Sequence, residues 1–149
     1  MADEKIRAGM HEWPLPTFDK TAFTPAPPLK DATVAIVTTA GLCKPGDKGW
    51  KPDDSGYRVF DANDRDIRMA HLSPNLDYSG GAIDLNVIYP IDRLFELEKD
   101  GVIGRVAPRH MSFLGAQDET MTDMRTKTGP EAARILQEDG VDVAFLTPI

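Results

Sequence analysis

His71 and His110 stand at the ends of two short apolar runs, and Asp77 and Asp84 follow the first of them in loops rich in Ser, Pro and Gly. In a parallel sheet the carboxyl ends of the strands open onto one rim, so both imidazoles and both carboxylates are expected to share one cleft. Imidazole titrates near pH 6.5 and can protonate a leaving amine or hold a substrate carboxylate. His71, His110 and Asp77 are therefore the catalytic candidates. Thr38, Thr39, Asp84, Asn86 and Arg109 are the substrate-binding candidates, with Arg109 suited to a two-pronged grip on a carboxylate. Each residue also has a structural alternative. The histidines can be hydrogen-bonded groups closing strand ends, and Asp84, Asn86 and Asp92 can serve the entry of a helix at Pro90. The same donor types suit zinc or iron, but no His-Glu-x-x-His or paired-cysteine spacing accompanies them, so no metal is expected.

Cys43 is the only thiol in the 149 residues. It excludes an internal disulfide and suits a reducing, cytoplasmic compartment. Its place just after the first strand, beside Lys44, makes a redox role conceivable, although most lone cysteines are inert. The chain carries 17 basic and 24 acidic side chains and a net charge of -7. Without a basic stripe to neutralise phosphates, nucleic acid and anionic membrane are poor partners. A small neutral or zwitterionic substrate, or another protein, fits better. No apolar run approaches the roughly 20 residues that a membrane helix requires.

These residues need elements to hold them. Thr33 to Thr39 is a continuous apolar, β-branched run, the mark of a strand buried on both faces of a parallel sheet. Tyr57 to Phe60, Ile67 to His71 and Ile103 to Pro108 read as further short strands, and Tyr78 to Ala82 as a turn. Pro90 opens a helix in which Ile91, Leu94 and Phe95 share a face and Gly101 is the stop. A second helical stretch runs from about Asp118 to Asp139, and Gly129-Pro130 must kink it or divide it. Val141 to Leu146 is a last buried strand. Strand, helix and strand alternate, so the fold class is α/β, a parallel sheet in Rossmann-like or flavodoxin-like layers. Residues 1–30, rich in proline and aromatics, read as an extended arm packed on its own domain or a neighbour. Residues 31–149 form the α/β domain, expected to be the N-terminal part of a longer, two-lobed subunit.

Four phrases, Val34-Ala-Ile-Val-Thr-Thr-Ala-Gly41, Asp84-Leu-Asn-Val-Ile-Tyr-Pro-Ile-Asp-Arg-Leu94, Gly101-Val-Ile-Gly-Arg-Val-Ala-Pro-Arg-His110 and Asp139-Gly-Val-Asp-Val-Ala-Phe-Leu-Thr-Pro148, resemble the selenoprotein B family in matching order. That family comprises the B subunits of glycine, sarcosine, betaine and D-proline reductases, and the D-proline reductase type fits well. The resemblance implies reductive cleavage of a bond at the carbon next to a carboxylate in a small amino-acid-like substrate, carried out with other reductase subunits in an oligomeric assembly. It implies a selenocysteine or cysteine nucleophile shortly after the Thr147-Pro148 phrase, beyond Ile149, and so no cofactor within these residues. A pyruvoyl group on a partner subunit also belongs to this expectation. A reading frame closed at a selenocysteine codon, a trimmed chain and a true gene end all remain open. If the chain is instead complete, it is a noncatalytic α/β binding or assembly module.

Overall fold

The computed structural model describes residues 2–12, 23–73, 76–117 and 120–149. In chain order its elements are α1 (Ala2–His11), β1 (Thr33–Thr38), β2 (Leu42–Cys43), β3 (Tyr57–Asp61), β4 (Arg68–Met69), α2 (Ser79–Ile83), α3 (Ile91–Lys99), β5 (Arg105–Val106), β6 (Arg109–Phe113), α4 (Gly129–Glu138) and β7 (Val143–Thr147). α1 and a 3-10 turn at Leu29–Asp31 correct the expectation of an extended arm, since proline does not begin until after the α1 residues. The expected packing of Trp13 and Phe18 lies outside the described residues.

β1 is central, as its apolar run requires. It pairs in parallel with β5 and β6 on one side and with β7 on the other. β3 pairs antiparallel with β6 and makes the far edge, so the sheet is mixed and only its centre is parallel. β2 and β4 form a separate antiparallel pair. Alternate residues of β1 serve opposite cores. Val34 and Ile36 pack with Tyr89, Ile91, Leu94 and Ile103, while Ala35 packs with Met111, Phe113, Ala132 and Leu136. α3 therefore covers one face and α4 the other, the two-sided burial that a parallel sheet needs.

α3 begins just after Pro90, buries Ile91 and Leu94, and is followed by Gly101 at φ +69°, a left-handed turn that glycine adopts without strain. The Gly129-Pro130 interruption takes a third form. Residues 122–138 stay helical, and Met124–Thr128 widen into a π-turn in which the Gly129 N–H donates to Met124 O. The wider turn leaves room for the proline ring. The segment at 79–83, expected as a turn, is the short helix α2.

Pro108 is where the strand reading fails. The strand expected over Ile103 to Pro108 is only Arg105–Val106, and the chain passes Pro108 to resume as β6. The Pro108 carbonyl accepts from Ala62 N–H at 2.9 Å, and beside this break the Ile36 N–H of β1 donates to Nδ1 of His110 at 2.9 Å. An imidazole thus stands in for a backbone acceptor in the middle of the sheet.

Gly104 is packed where a side chain has no room. Its N–H lies within bonding distance of Leu29 O and Ala32 O, and a Cβ would meet the Asp31 carbonyl carbon at 2.6 Å. Gly104→Ala is expected to destabilise the fold by about 1–3 kcal/mol, the range for overpacking, as a lowered midpoint in urea unfolding. An unchanged midpoint would show that this turn can move aside.

Candidate active-site rim

At the carboxyl end of β1, hydroxyls tie the strand ends together. Thr38 Oγ1, fully buried, lies 2.9 Å from Ile88 O as donor and accepts from Ala40 N–H at 3.2 Å. Thr147 Oγ1 of β7 reaches the same Ile88 carbonyl. Thr39 Oγ1 accepts from Ile149 N–H at 2.8 Å and lies 3.3 Å from Ile149 O. Ile149 is thereby held at the rim, where it helps to line a cavity of about 210 Å³ with His71, Ser73, Leu76, Gly115 and Ala116.

His71 follows β4 and is more than nine-tenths buried. Its backbone packs against Gly41, whose φ of +61° turns the chain away from β1; a Cβ there would lie 3.2 Å from the His71 Cα. Nδ1 accepts the Ser73 N–H at 3.0 Å, and the His71 carbonyl is within 2.8 Å of the Tyr78 hydroxyl. With Nδ1 an acceptor, the neutral ring carries its proton on Nε2. That Nε2 is buried and meets no hydrogen-bond partner among the described residues. Burial also lowers the imidazole pKa below its usual value, which favours the neutral form. Gly115 keeps the neighbourhood open: a Cβ on it would sit 2.5 Å from Ile149 O and 3.1 Å from His71 Nε2.

The structure does not bring the two histidines together. His110 lies inside β6, fully buried, and is absent from the described wall of the rim cavity. Its ring meets Tyr89 edge-on at 5.8 Å, and its Nε2 and the Tyr89 hydroxyl are both buried without hydrogen-bond partners among the described residues. Desolvation pushes its pKa down to about 4. The break at Pro108 explains the displacement from the expected rim.

The carboxylates and the arginine are engaged locally. Asp77 is exposed and accepts from Ser79 N–H at 2.9 Å at the start of α2. Hydrogen bonds from Ser79 hold its carboxyl below the usual range. Asp84 accepts from Asn86 N–H, and Asn86 bonds Asp92 through both its amide nitrogen and its oxygen. This chain of contacts is the helix-entry alternative. Arg109 grips Asp139 with two 2.7 Å bonds and ties β6 to the end of α4. Cys43 is half-buried in β2, paired with Arg68, and does not line the rim cavity. Among the described residues no group of three or more His, Cys, Asp or Glu is placed to hold a metal ion. Ser73 and Gly115 escaped the sequence reading, since neither lies in a recognisable pattern. The one available signal was a glycine directly after the apolar Met-Ser-Phe-Leu run, where backbone crowding is common.

The family model for glycine/sarcosine/betaine reductase selenoprotein B matches residues 4–149. The chain belongs to the selenoprotein B family. It is similar to the D-proline reductase subunit gamma of Acetoanaerobium sticklandii, at 38% identity over 124 residues, which cover 80% of this chain and 49% of the relative. It is also similar to the sarcosine reductase complex component B subunit beta and the glycine reductase complex component B subunit gamma of Peptoclostridium acidaminophilum. Each of these is 31% identical, covering 91% of this chain and 32% of the relative. The chain thus spans about half the length of the first of these selenoprotein B relatives and about a third of the others. No solved structure matches it. No helix among the described residues is long and apolar enough to cross a membrane.

Proposed function

We propose that these residues form the N-terminal α/β part of a selenocysteine- or cysteine-dependent reductase B subunit. Overall, the bond between nitrogen and the carbon next to a carboxylate is opened. Two electrons and two protons come from a dithiol, which becomes a disulfide; the carbon gains one hydrogen and the departing nitrogen the other. The observation that carries the reading is the position of Ile149. Its N–H and carbonyl are clasped by Thr39 at the carboxyl rim, and it forms part of the cavity wall beside His71. A residue following Ile149 in a longer chain would leave the sheet at that cavity, where the ligand chemistry of open α/β sheets gathers.

A nucleophile there would supply covalent attack on the substrate carbon. The residues of this chain do the rest: Thr38, Thr39 and Thr147 set the strand ends, Ser73 orients the His71 ring, and Leu76 and Ala116 keep the wall apolar. The exposed faces of β7, with Phe145 46% and Leu146 67% accessible, are surfaces that further polypeptide or partner subunits would cover. The free Cys43 suits a reducing cytoplasm.

The test is a subunit extended through the next in-frame segment, assembled with its partner subunits and assayed with a dithiol on D-proline, glycine, sarcosine and betaine. Cleavage of one of the four, with one disulfide formed per bond opened, is expected. Cleavage of none by an assembled complex would leave the noncatalytic module as the better reading.

A further inference from the structure

We propose that the rim cavity is a carboxylate-binding site in which His71 serves as a neutral hydrogen-bond donor through Nε2–H. The inference rests on the reductase reading and assigns His71 to holding the substrate, as distinct from protonating its leaving amine. The ring cannot do both from the state in which the structure holds it. Nδ1 is occupied by the Ser73 N–H, so a neutral ring offers one donor and no free basic nitrogen. Its buried position disfavours the cation that a general acid would have to be.

The unsatisfied Nε2–H points to a ligand. A buried donor left without an acceptor costs about 1–3 kcal/mol; this Nε2 is itself closed to solvent, on a side chain that lines a cavity of about 210 Å³, so an acceptor reaches it through a small shift of that wall. At about 30 Å³ per water in the liquid, that space equals about seven waters, which suits a small amino acid. The described wall has no acidic side chain to attract an ammonium group or repel an anion. Of its other members, Ser73 is polar, while Leu76, Gly115, Ala116 and Ile149 are apolar in their side chains, and a largely apolar wall strengthens a charge-assisted hydrogen bond. Gly115 is the second determinant, because any side chain there would press on His71 Nε2 and Ile149 O together.

Binding is measured on the 149-residue chain with its terminal carboxylate amidated, so that no anion of its own stands in the wall, by nitrogen-15 NMR of the imidazole rings titrated with D-proline, with acetate, and with pyrrolidine, the same ring as proline without its carboxylate. The expected result is a shift of the His71 Nε2 and its proton with proline and with acetate, and none with pyrrolidine. His71→Gln, which keeps a side-chain N–H donor, should bind proline within about tenfold of the parent, while His71→Leu should lose more than tenfold, about 1.4 kcal/mol. Equal shifts with pyrrolidine, no shift with either carboxylate, or unchanged proline binding by His71→Leu would each overturn the proposal. Because binding is read without turnover, the two readings fail separately. A cleaving complex whose His71 ignores carboxylates would sink the site alone, and a chain that binds them in a complex that cleaves nothing would sink the reaction alone.

Discussion

Replacing His110 by alanine is expected to lower the unfolding free energy by about 3–5 kcal/mol, combining a lost backbone acceptor with a core cavity. The ring is fully buried, and its Nδ1 is the acceptor for Ile36 N–H, so truncation leaves a donor unpaired in the central strand. Denaturant unfolding at neutral pH would measure the loss. The same ring should give stability a marked pH dependence. His110 has a folded pKa of about 4 against 6.5 for the free group. The unfolded chain therefore takes up a proton below pH 6.5 that the folded chain refuses until about pH 4. Stability is full above pH 6.5 and falls as the pH drops through that window, by about 3 kcal/mol for a shift of this size. His71, lowered in the same direction, adds to the slope. Asp64, Asp77 and Asp84 have lowered carboxyl pKa values. Their contributions are present above the ordinary carboxylate range and are lost only at lower pH. His110→Gln should flatten the slope between pH 6.5 and 4. An unaltered slope would mean that the imidazole titrates freely in the folded protein.

Much of the scaffold was legible in the sequence because local signals and burial agreed. The β-branched run at Thr33 could be little else than a strand buried on both faces, and Pro90 with Gly101 bracketed α3. The parallel placement of β1, β5 and β7 followed from the alternation of elements. Two of the errors concern a proline that the chain accommodates. At Pro108 the sheet accepts a break and recruits His110 to mend it, which moves that histidine from the rim to the interior. At Pro130 a π-turn absorbs what was expected to be a kink or a division. For the site, His71 was visible as a polar residue after an apolar run. Its tautomer, set by Ser73, and the space left by Gly115 arise from contacts between segments distant in sequence, or from loop geometry that no spacing encodes. Arg109 shows the converse. Its chemistry suits a carboxylate, and the fold supplies one of its own in Asp139.

The second large effect concerns catalysis, and its measurement tests most directly the claim that the attacking residue enters the His71 cavity after Ile149. Displacing nitrogen from a saturated carbon requires an ionised, soft nucleophile. Cys43, the single thiol present, lies on the small β2–β4 pair and outside the described cavity wall. The 149-residue chain, a version extended with cysteine at the next codon, and the extended version carrying Cys43→Ser should be compared in the same assembled complex with a dithiol and the four substrates. The account predicts no turnover by the short chain and equal turnover by both extended forms. Turnover by the short chain equal to that of the extended one, abolished by Cys43→Ser, would contradict it and move the chemistry to Cys43.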